Sequence, residues 1–391
     1  MLRPLAAVLA CACSTFAPAQ QAADPAPEAP GAPRYTAAAD YSAKHAGRAV
    51  LVMKGGEVVF ERYDNGWSAQ RRHPLASGTK SFTGVMAMMA VQDGLLTLDE
   101  KVSDTITEWK ADPRRSLITV RHLLTLSSGL DAAPVELESR GGGLLLGEGA
   151  RLRAERKGLD KAPPAPADLA EASVSDSVRM KHAPGEVFEY GPTHFYVFCE
   201  LLNRKLAAAD RPERDTGEYL DARIFKAIGI DALMGRDRAG NPNLPGGCLL
   251  TARDWARFGQ FVLDQGSAKS PEGATKQLLK PEVLAQCWAP SAANPAYGLT
   301  WWLLTDDQAA GAVADSGLER QLQRRNQASE TKAIAGPDGK PLRIYMAAGL
   351  GKQRLYVIPQ YGLVVVRFAE ASREGIRFDN AEFLKPILGI R

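Results

Sequence analysis

Cysteine is scarce in this chain. Only five occur in 391 residues, and Cys11 and Cys13 sit together near the start. The other three, Cys199, Cys248 and Cys287, stand far apart, which fits neither a disulfide framework nor a zinc-ligand spacing. Histidine is equally sparse, five in all and scattered. No paired-His motif appears, so no metal site is expected. No Gly-x-Ser-x-Gly exists anywhere, which argues against the nucleophile elbow of an α/β-hydrolase. Charge of one sign is also lacking: 48 basic residues oppose 45 acidic ones, a net +3. There is no dense Lys/Arg block interleaved with aromatics, so a nucleic-acid partner has no support. Past the N-terminus no apolar run is long enough to span a bilayer. What remains is ordinary for a globular protein with a large core: 45% hydrophobic and 24% charged.

The first residues, "MLRPLAAVLACACSTFAPAQ", carry their own signal. Arg3 is a short positive region, Leu5 to Ala12 is apolar, and Ala17-Pro18-Ala19 is a small-residue cleavage pattern. Residues 1–19 therefore read as a secretory signal, which predicts a periplasmic or secreted protein. A lipoprotein signal, with Val8-Leu9-Ala10 ahead of Cys11, is the rival. Residues 20–34, rich in Ala, Pro and Gln, read as a flexible lead.

The body alternates between two textures. "RAVLVMKGGEVVFERYDNG" is two β-rich runs joined at Gly55-Gly56, a hairpin with a two-residue turn. "ITVRHLLTLSSGLD" reads as a short helix closed by Gly129. "TGEYLDARIFKAIGI" and "LLTARDWARFGQFVLDQG" have helical periodicity, the latter capped by Thr251. Toward the end, "AYGLTWWLLT", "PLRIYMAAGL" and "QRLYVIPQYGLVVVRFAE" are β-rich, and "NAEFLKPIL" is helical. The predicted fold is α+β. An antiparallel sheet flanked by helices is built from about 35–80 and 240–391, with a mostly helical part inserted at about 81–239. Residues 131–183, with Gly141-Gly142-Gly143 and few large apolar side chains, read as an excursion that folds over a site or stays mobile.

The stretch "ASGTKSFTGVMAMMAVQDG" poses the functional question. Phe82, Val85, Met86, Met89 and Ala90 recur at helical spacing, and Asp93-Gly94 is a stop signal. Ser77 stands at the helix start, where serine is a favoured cap. It also stands three residues before Lys80, so the amine can reach its hydroxyl, and a serine needs such a base to become nucleophilic. Spacing alone does not decide. With 19 serines and 17 lysines, about one Ser-x-x-Lys is expected by chance and two occur. The second, Ser329 to Lys332, lies in a polar stretch without apolar periodicity and reads as a solvated loop.

Several segments in order settle a resemblance. "ASGTKSFTG", "GLLTLDEKVSD", "ITVRHLLTLSSGLD", "HAPGEVFEYGPTHFYVFCELL", "GGCLLTARDWARFGQ", "YGLTWWL" and "AAGLGKQRLYVIPQYGLVVVR" together resemble the β-lactamase/penicillin-binding superfamily of serine hydrolases. The likeness covers residues 40–385 and falls on the class C-like and esterase side. It implies Ser77 as acylated nucleophile, Lys80 as general base and Tyr190 as the phenol relaying a proton to the leaving group. It implies an oxyanion site from the Ser77 N–H and a strand edge near Gly349 and Leu350. No metal or organic cofactor is implied.

Two departures from the pattern bear on substrate. The second motif usually ends in asparagine, and here Pro192 offers no side-chain hydrogen bond. The third usually begins with a cation and a hydroxyl before glycine, and here it reads Ala347-Ala348-Gly349, with Lys352 off register. The grip on a β-lactam carboxylate is thus missing, and a small uncharged ester or amide is the expected substrate. The "GLGKQRLYVIP" ending is most similar to 6-aminohexanoate-dimer hydrolases and esterase relatives. A β-lactamase or D-Ala-D-Ala carboxypeptidase is one alternative. A non-catalytic cell-envelope binding protein with a degraded site is another. Tyr190 has a structural reading as a core aromatic beside the next helix. Ser127 and Ser128 read as turn residues, His122 as structural, Cys199 as a small buried hydrophobe, and Arg121, Arg253 and Arg354 as ion-pair partners. Trp301-Trp302 reads as core, with one of the two available to line an acyl site.

Overall fold

The computed structural model describes residues 32–134, 137, 166–269, 273–304, 331–370 and 377–390. Its strands in chain order are β1 (Gly47–Lys54), β2 (Glu57–Tyr63), β3 (His73–Pro74), β4 (Leu233–Met234), β5 (Cys248–Leu250), β6 (Ser267–Lys269), β7 (Thr275–Gln277), β8 (Trp302–Leu304), β9 (Ile344–Gly349), β10 (Gln353–Ile358) and β11 (Leu363–Ala369). The α-helices are α1 (Ala32–Lys44), α2 (Lys80–Gln92), α3 (Val120–Leu124), α4 (Leu169–Val174), α5 (Thr193–Ala208), α6 (Thr216–Leu220), α7 (Ala252–Leu263), α8 (Pro281–Leu284) and α9 (Asn380–Leu388).

N- and C-terminal segments meet in one six-stranded sheet of order β2-β1-β11-β10-β9-β8, and its neighbouring strands pair antiparallel. The β1–β2 turn forms as read, because Gly55 and Gly56 take φ of +59° and +88°, the left-handed pair that a two-residue hairpin requires. β10 and β11 are buried along their whole lengths. Apart from the buried Gln353, Arg354 and Arg367 they are apolar on both faces, because each face is covered. One face carries α1 and α9, packed on Val50, Val52, Tyr356 and Val365. The other carries α7, α2 and the helical middle of the chain.

Local signals explain the flanking helices. Thr251 caps α7 by accepting the Asp254 N–H, and Gly259 lets that helix lie on the sheet, since a Cβ there would stand 2.5 Å from Val364 Cγ1. Asp379 caps α9, which ends at Gly389 with φ +71°. α2 differs from an ordinary surface helix. Every residue from Lys80 to Ala90 is buried, so it runs through the core between the sheet and the helical part. It stops where expected, at Asp93 and Gly94, the latter at φ +73°.

Three sequence readings need correction. α1 starts at Ala32, so the lead expected to reach residue 34 ends earlier; Ala38 and Ala39 bury against the sheet and draw the chain into a helix. α3 ends at Leu124, and Gly129 does not close it but turns the chain beyond, at φ +79° with its α-carbon against the His182 carbonyl. Part of the 131–183 excursion is core: Leu169 and Val174 of α4 are buried, and Lys181 donates to the Gly129 carbonyl through its backbone. Residues 135–136 and 138–165 of that excursion, residues 1–19 with Cys11 that read as a secretory signal, and Ser329 lie outside the described residues.

Candidate active site

Ser77 sits on a single 3-10 turn, Ala76–Thr79, that leads directly into α2. It is not a helix cap. Thr79 occupies the N-cap of α2, and no side-chain capping bond is made at either helix start. Ala76, immediately before it, has φ +48°, a left-handed conformation that costs a non-glycine residue energy and reverses the chain just ahead of the serine. The turn is clamped. Thr79 Oγ1 donates to the Ala76 carbonyl at 2.7 Å and accepts the Cys248 N–H at 3.1 Å. Leu75 N–H donates to the Cys248 carbonyl at 2.9 Å, and Gly78 packs so closely on Trp255 that a Cβ would lie 2.8 Å from the indole. The serine itself remains partly exposed.

Lys80 lies one turn on, 5% exposed. Its Nζ donates to Ser77 Oγ at 3.0 Å and to the Pro245 carbonyl at 2.6 Å. The rings of Tyr190 and Phe195 stand 5.1 Å and 5.2 Å away. Burial penalises the ammonium and pushes its pKa down to about 7. An amine so placed is half neutral near physiological pH, which is what a general base needs.

Tyr190 closes the third side. Its half-buried phenol is hydrogen-bonded with the Ser77 hydroxyl. Burial pushes its pKa up to about 12, against the pull of that hydrogen bond and of the Arg354 charge. The loop that carries it is tied down on both sides. Glu189 N–H donates to Leu126 O at 2.9 Å, and Thr193 N–H to Ala132 O at 3.1 Å. Gly191 has no room for a side chain, because a Cβ would lie 2.1 Å from the Ala132 carbonyl. Pro192 becomes the N-cap of α5, where a missing N–H costs little.

Gly349 ends β9 against the same turn. A Cβ there would meet the Leu75 carbonyl at 2.0 Å, so only glycine lets the strand edge approach within two residues of Ser77. Leu350 follows, 42% exposed. The structure therefore brings Ser77, Lys80 and Tyr190 into mutual contact, with Gly349 abutting their base and Leu350 beside it.

An aromatic group extends from Tyr190. Trp302 stacks on it at 5.7 Å between centroids, and Phe188 lies 6.0 Å from Trp302. Tyr297, fully buried, stands edge-on to Trp302 at 4.8 Å. Of the Trp301-Trp302 pair, then, Trp301 is core and Trp302 borders the site.

Sequence reading missed two contributors here. The Pro245 carbonyl comes from a residue 165 positions away, and "NLPGG" carries no signal beyond a turn. His194, whose ring joins Ser128 and the Glu189 carbonyl, reads in sequence only as a lone histidine. Arg121 does pair with Asp99, at 2.7 Å and 2.9 Å, and Arg253 pairs with Glu61. The buried Arg354 guanidinium donates to Asn380 Oδ1 at 3.2 Å and to the Gln353 carbonyl at 2.9 Å. His122 is structural, its Nδ1 accepting the Thr119 N–H in a capping box. Cys199, Cys248 and Cys287 are free and buried, and burial pushes their thiols up and away from reactivity. Among the described residues no group of three His, Cys, Asp or Glu could hold a metal, and no helix is long and apolar enough to cross a membrane.

A family model described as Beta-lactamase matches residues 33–385. The chain belongs to the beta-lactamase family. A 6-aminohexanoate-dimer hydrolase of Paenarthrobacter ureafaciens is 24% identical over 309 residues, 74% of this chain and 73% of that protein. Two solved structures share the beta-lactamase fold. A D-stereospecific amidohydrolase from Streptomyces sp. superposes with a TM-score of 0.60 at 15% identity, over 90% of this chain and 97% of that one. The octameric penicillin-binding protein homologue from Pyrococcus abyssi superposes with a TM-score of 0.60 at 16% identity, over 92% of this chain and 77% of that one. The family is one of hydrolases.

Proposed function

We propose that the protein is a serine hydrolase that cleaves an uncharged ester or amide through an acyl-enzyme on Ser77. One observation carries this: the buried Lys80 amine, depressed to about 7, lies 3.0 Å from Ser77 Oγ. Neutral Lys80 takes the Ser77 proton as Oγ attacks the carbonyl carbon. The tetrahedral oxyanion is received by the Ser77 N–H, at a helix start where backbone donors lack intrahelical partners, and by the β9 edge at Leu350. Tyr190 passes a proton to the departing alcohol or amine. Water then attacks the acyl group, its proton leaves through the same pair, and Ser77 is regenerated.

The choice of substrate rests on what surrounds the triad. Ala347 and Ala348 present neither charge nor hydroxyl on β9. Phe188, Tyr190 and Trp302 offer half-buried aromatic surface instead. That chemistry suits an apolar acyl or leaving group better than a carboxylate. The 6-aminohexanoate-dimer hydrolase relative supports amide cleavage as part of the range.

The test is a screen of 4-nitrophenyl esters, alkyl esters, linear amides and nitrocefin on the mature protein, with Ser77→Ala as control. Ester or amide turnover lost in S77A supports the reading. Efficient nitrocefin turnover with weak ester turnover would favour a β-lactamase. No turnover of any class would favour a binding protein.

A further inference from the structure

His194 is 1% exposed, and both of its ring nitrogens are engaged. Nε2 lies 2.9 Å from the Glu189 carbonyl oxygen, and Nδ1 lies 3.0 Å from Ser128 Oγ. A carbonyl can only accept, so Nε2 carries the proton. Nδ1 then presents a lone pair, and the Ser128 hydroxyl must donate to it. Ser128 Oγ in turn accepts the Leu130 N–H at 3.2 Å. The hydrogen bonds thus run in one direction and admit one neutral tautomer. Burial, aided by the Lys80 charge, pushes the imidazole down to about 4, so it stays neutral at ordinary pH.

The residue held by this chain matters. The Glu189 carbonyl belongs to the peptide plane that supplies the Tyr190 N–H, so its orientation fixes the tyrosine backbone. Leu126 holds the other end of residue 189, and the Gly191 contact with Ala132 holds the far side of Tyr190. Pro192 cannot contribute a side-chain hydrogen bond to the loop. Removing the imidazole would free the peptide next to the phenol while leaving Ser77 and Lys80 on their own element.

We propose that His194, oriented by Ser128, is the positioning residue for Tyr190: it holds the Glu189–Tyr190 peptide so that the phenol remains on Ser77 and in line with the leaving group. This rests on Tyr190 being the proton relay. It makes a specific demand. Misplacing the phenol should hurt substrates whose leaving group needs a proton and spare those whose leaving group does not.

The experiment measures kcat and KM for an alkyl ester and a 4-nitrophenyl ester of the same acid. The proteins are wild type, His194→Ala, His194→Gln, Ser128→Ala, Tyr190→Phe and the H194A/Y190F double variant. H194A should lower kcat/KM, which reports acylation alone, by about 10–100-fold on the alkyl ester and far less on the 4-nitrophenyl ester. H194Q, which keeps a side-chain N–H donor, should recover most of the loss, and S128A should show a weaker form of it. In the Y190F background H194A should add less than about threefold. Equal loss on both esters, or full multiplication on Y190F, would overturn the inference. If Y190F spares the alkyl ester, the relay reading falls first. If Y190F is damaging and H194A is not, only the role of His194 falls. Should H194A fail to fold by circular dichroism, H194Q and S128A carry the same comparison.

Discussion

Lys80 makes the sharpest prediction, and pH is the perturbation. Its ordinary pKa is 10.5, and burial brings it to about 7. At pH 7 an unperturbed lysine would be about 0.03% neutral, whereas Lys80 is about half neutral, a gain of about 10³ in available base. Lowering from 10.5 to about 7 corresponds to about 5 kcal/mol of preference for the neutral amine. The structure supplies the cause: 5% exposure, aromatic rings of Tyr190 and Phe195 on two sides, and the uncharged Ser77 hydroxyl and Pro245 carbonyl as acceptors. The assay is kcat/KM against pH from 5 to 9 on a 4-nitrophenyl ester, with S77A rates subtracted. The rising limb should have unit slope and a midpoint near pH 7, with the rate at pH 6 about a tenth of the plateau. A limb centred at pH 9 or above, or a flat profile, would refute the reasoning. Lys80→Met should abolish the limb and also stabilise the fold at neutral pH. The depressed pKa means the unfolded chain binds more protons between pH 7 and 10.5, so the native lysine opposes folding there.

Three further outcomes follow from the geometry. Gly349→Ala should cost about 1–3 kcal/mol in urea unfolding and most of any ester turnover found in the screen, because its Cβ would sit 2.0 Å from the Leu75 carbonyl; a fully active, equally stable variant would contradict the close approach. Acid should destabilise the protein between pH 6.5 and 4. His73 and His194 are both depressed from 6.5 to about 4, so in that window the unfolded chain binds more protons and stability falls by up to about 3 kcal/mol per histidine. Urea midpoints that stay level from pH 7 to 4.5 would count against this, and H194Q should remove part of the slope. Trp302→Ala should raise KM for esters of aromatic acids more than for acetate esters, since it strips the face stacked on Tyr190; an equal change for both would remove Trp302 from substrate contact.

Much of this was legible because it is encoded locally. The Gly55-Gly56 turn, the Thr251 cap and the "NAEFLKPIL" helix depend on residues within a few positions of each other, and all three form where read. The Ser77–Lys80 contact was legible for the same reason, being one helical turn. Tyr190 could be linked to them only through resemblance, because nothing in its neighbourhood announces a partner 113 positions earlier. Pro245 was invisible because its contribution is a backbone carbonyl. His194 was invisible because a buried histidine with two hydrogen bonds leaves no pattern in the chain. The burial of α2 on all sides was hidden because Ser81 and Thr83 satisfy the helical polar positions while lying in the core. Gly129 misled because its left-handed turn serves the contact with His182 rather than the end of α3.

The central claim is that Ser77 is an activated nucleophile, and one measurement reaches it directly. The protein is exposed to a fluorophosphonate probe and its intact mass recorded, with Ser77→Ala and Lys80→Ala alongside. The account predicts one adduct on the wild type, mapped by peptide sequencing to Ser77, and little or none on either variant. A wild type that stays unlabelled at long exposure, or an adduct that persists in S77A, would contradict it.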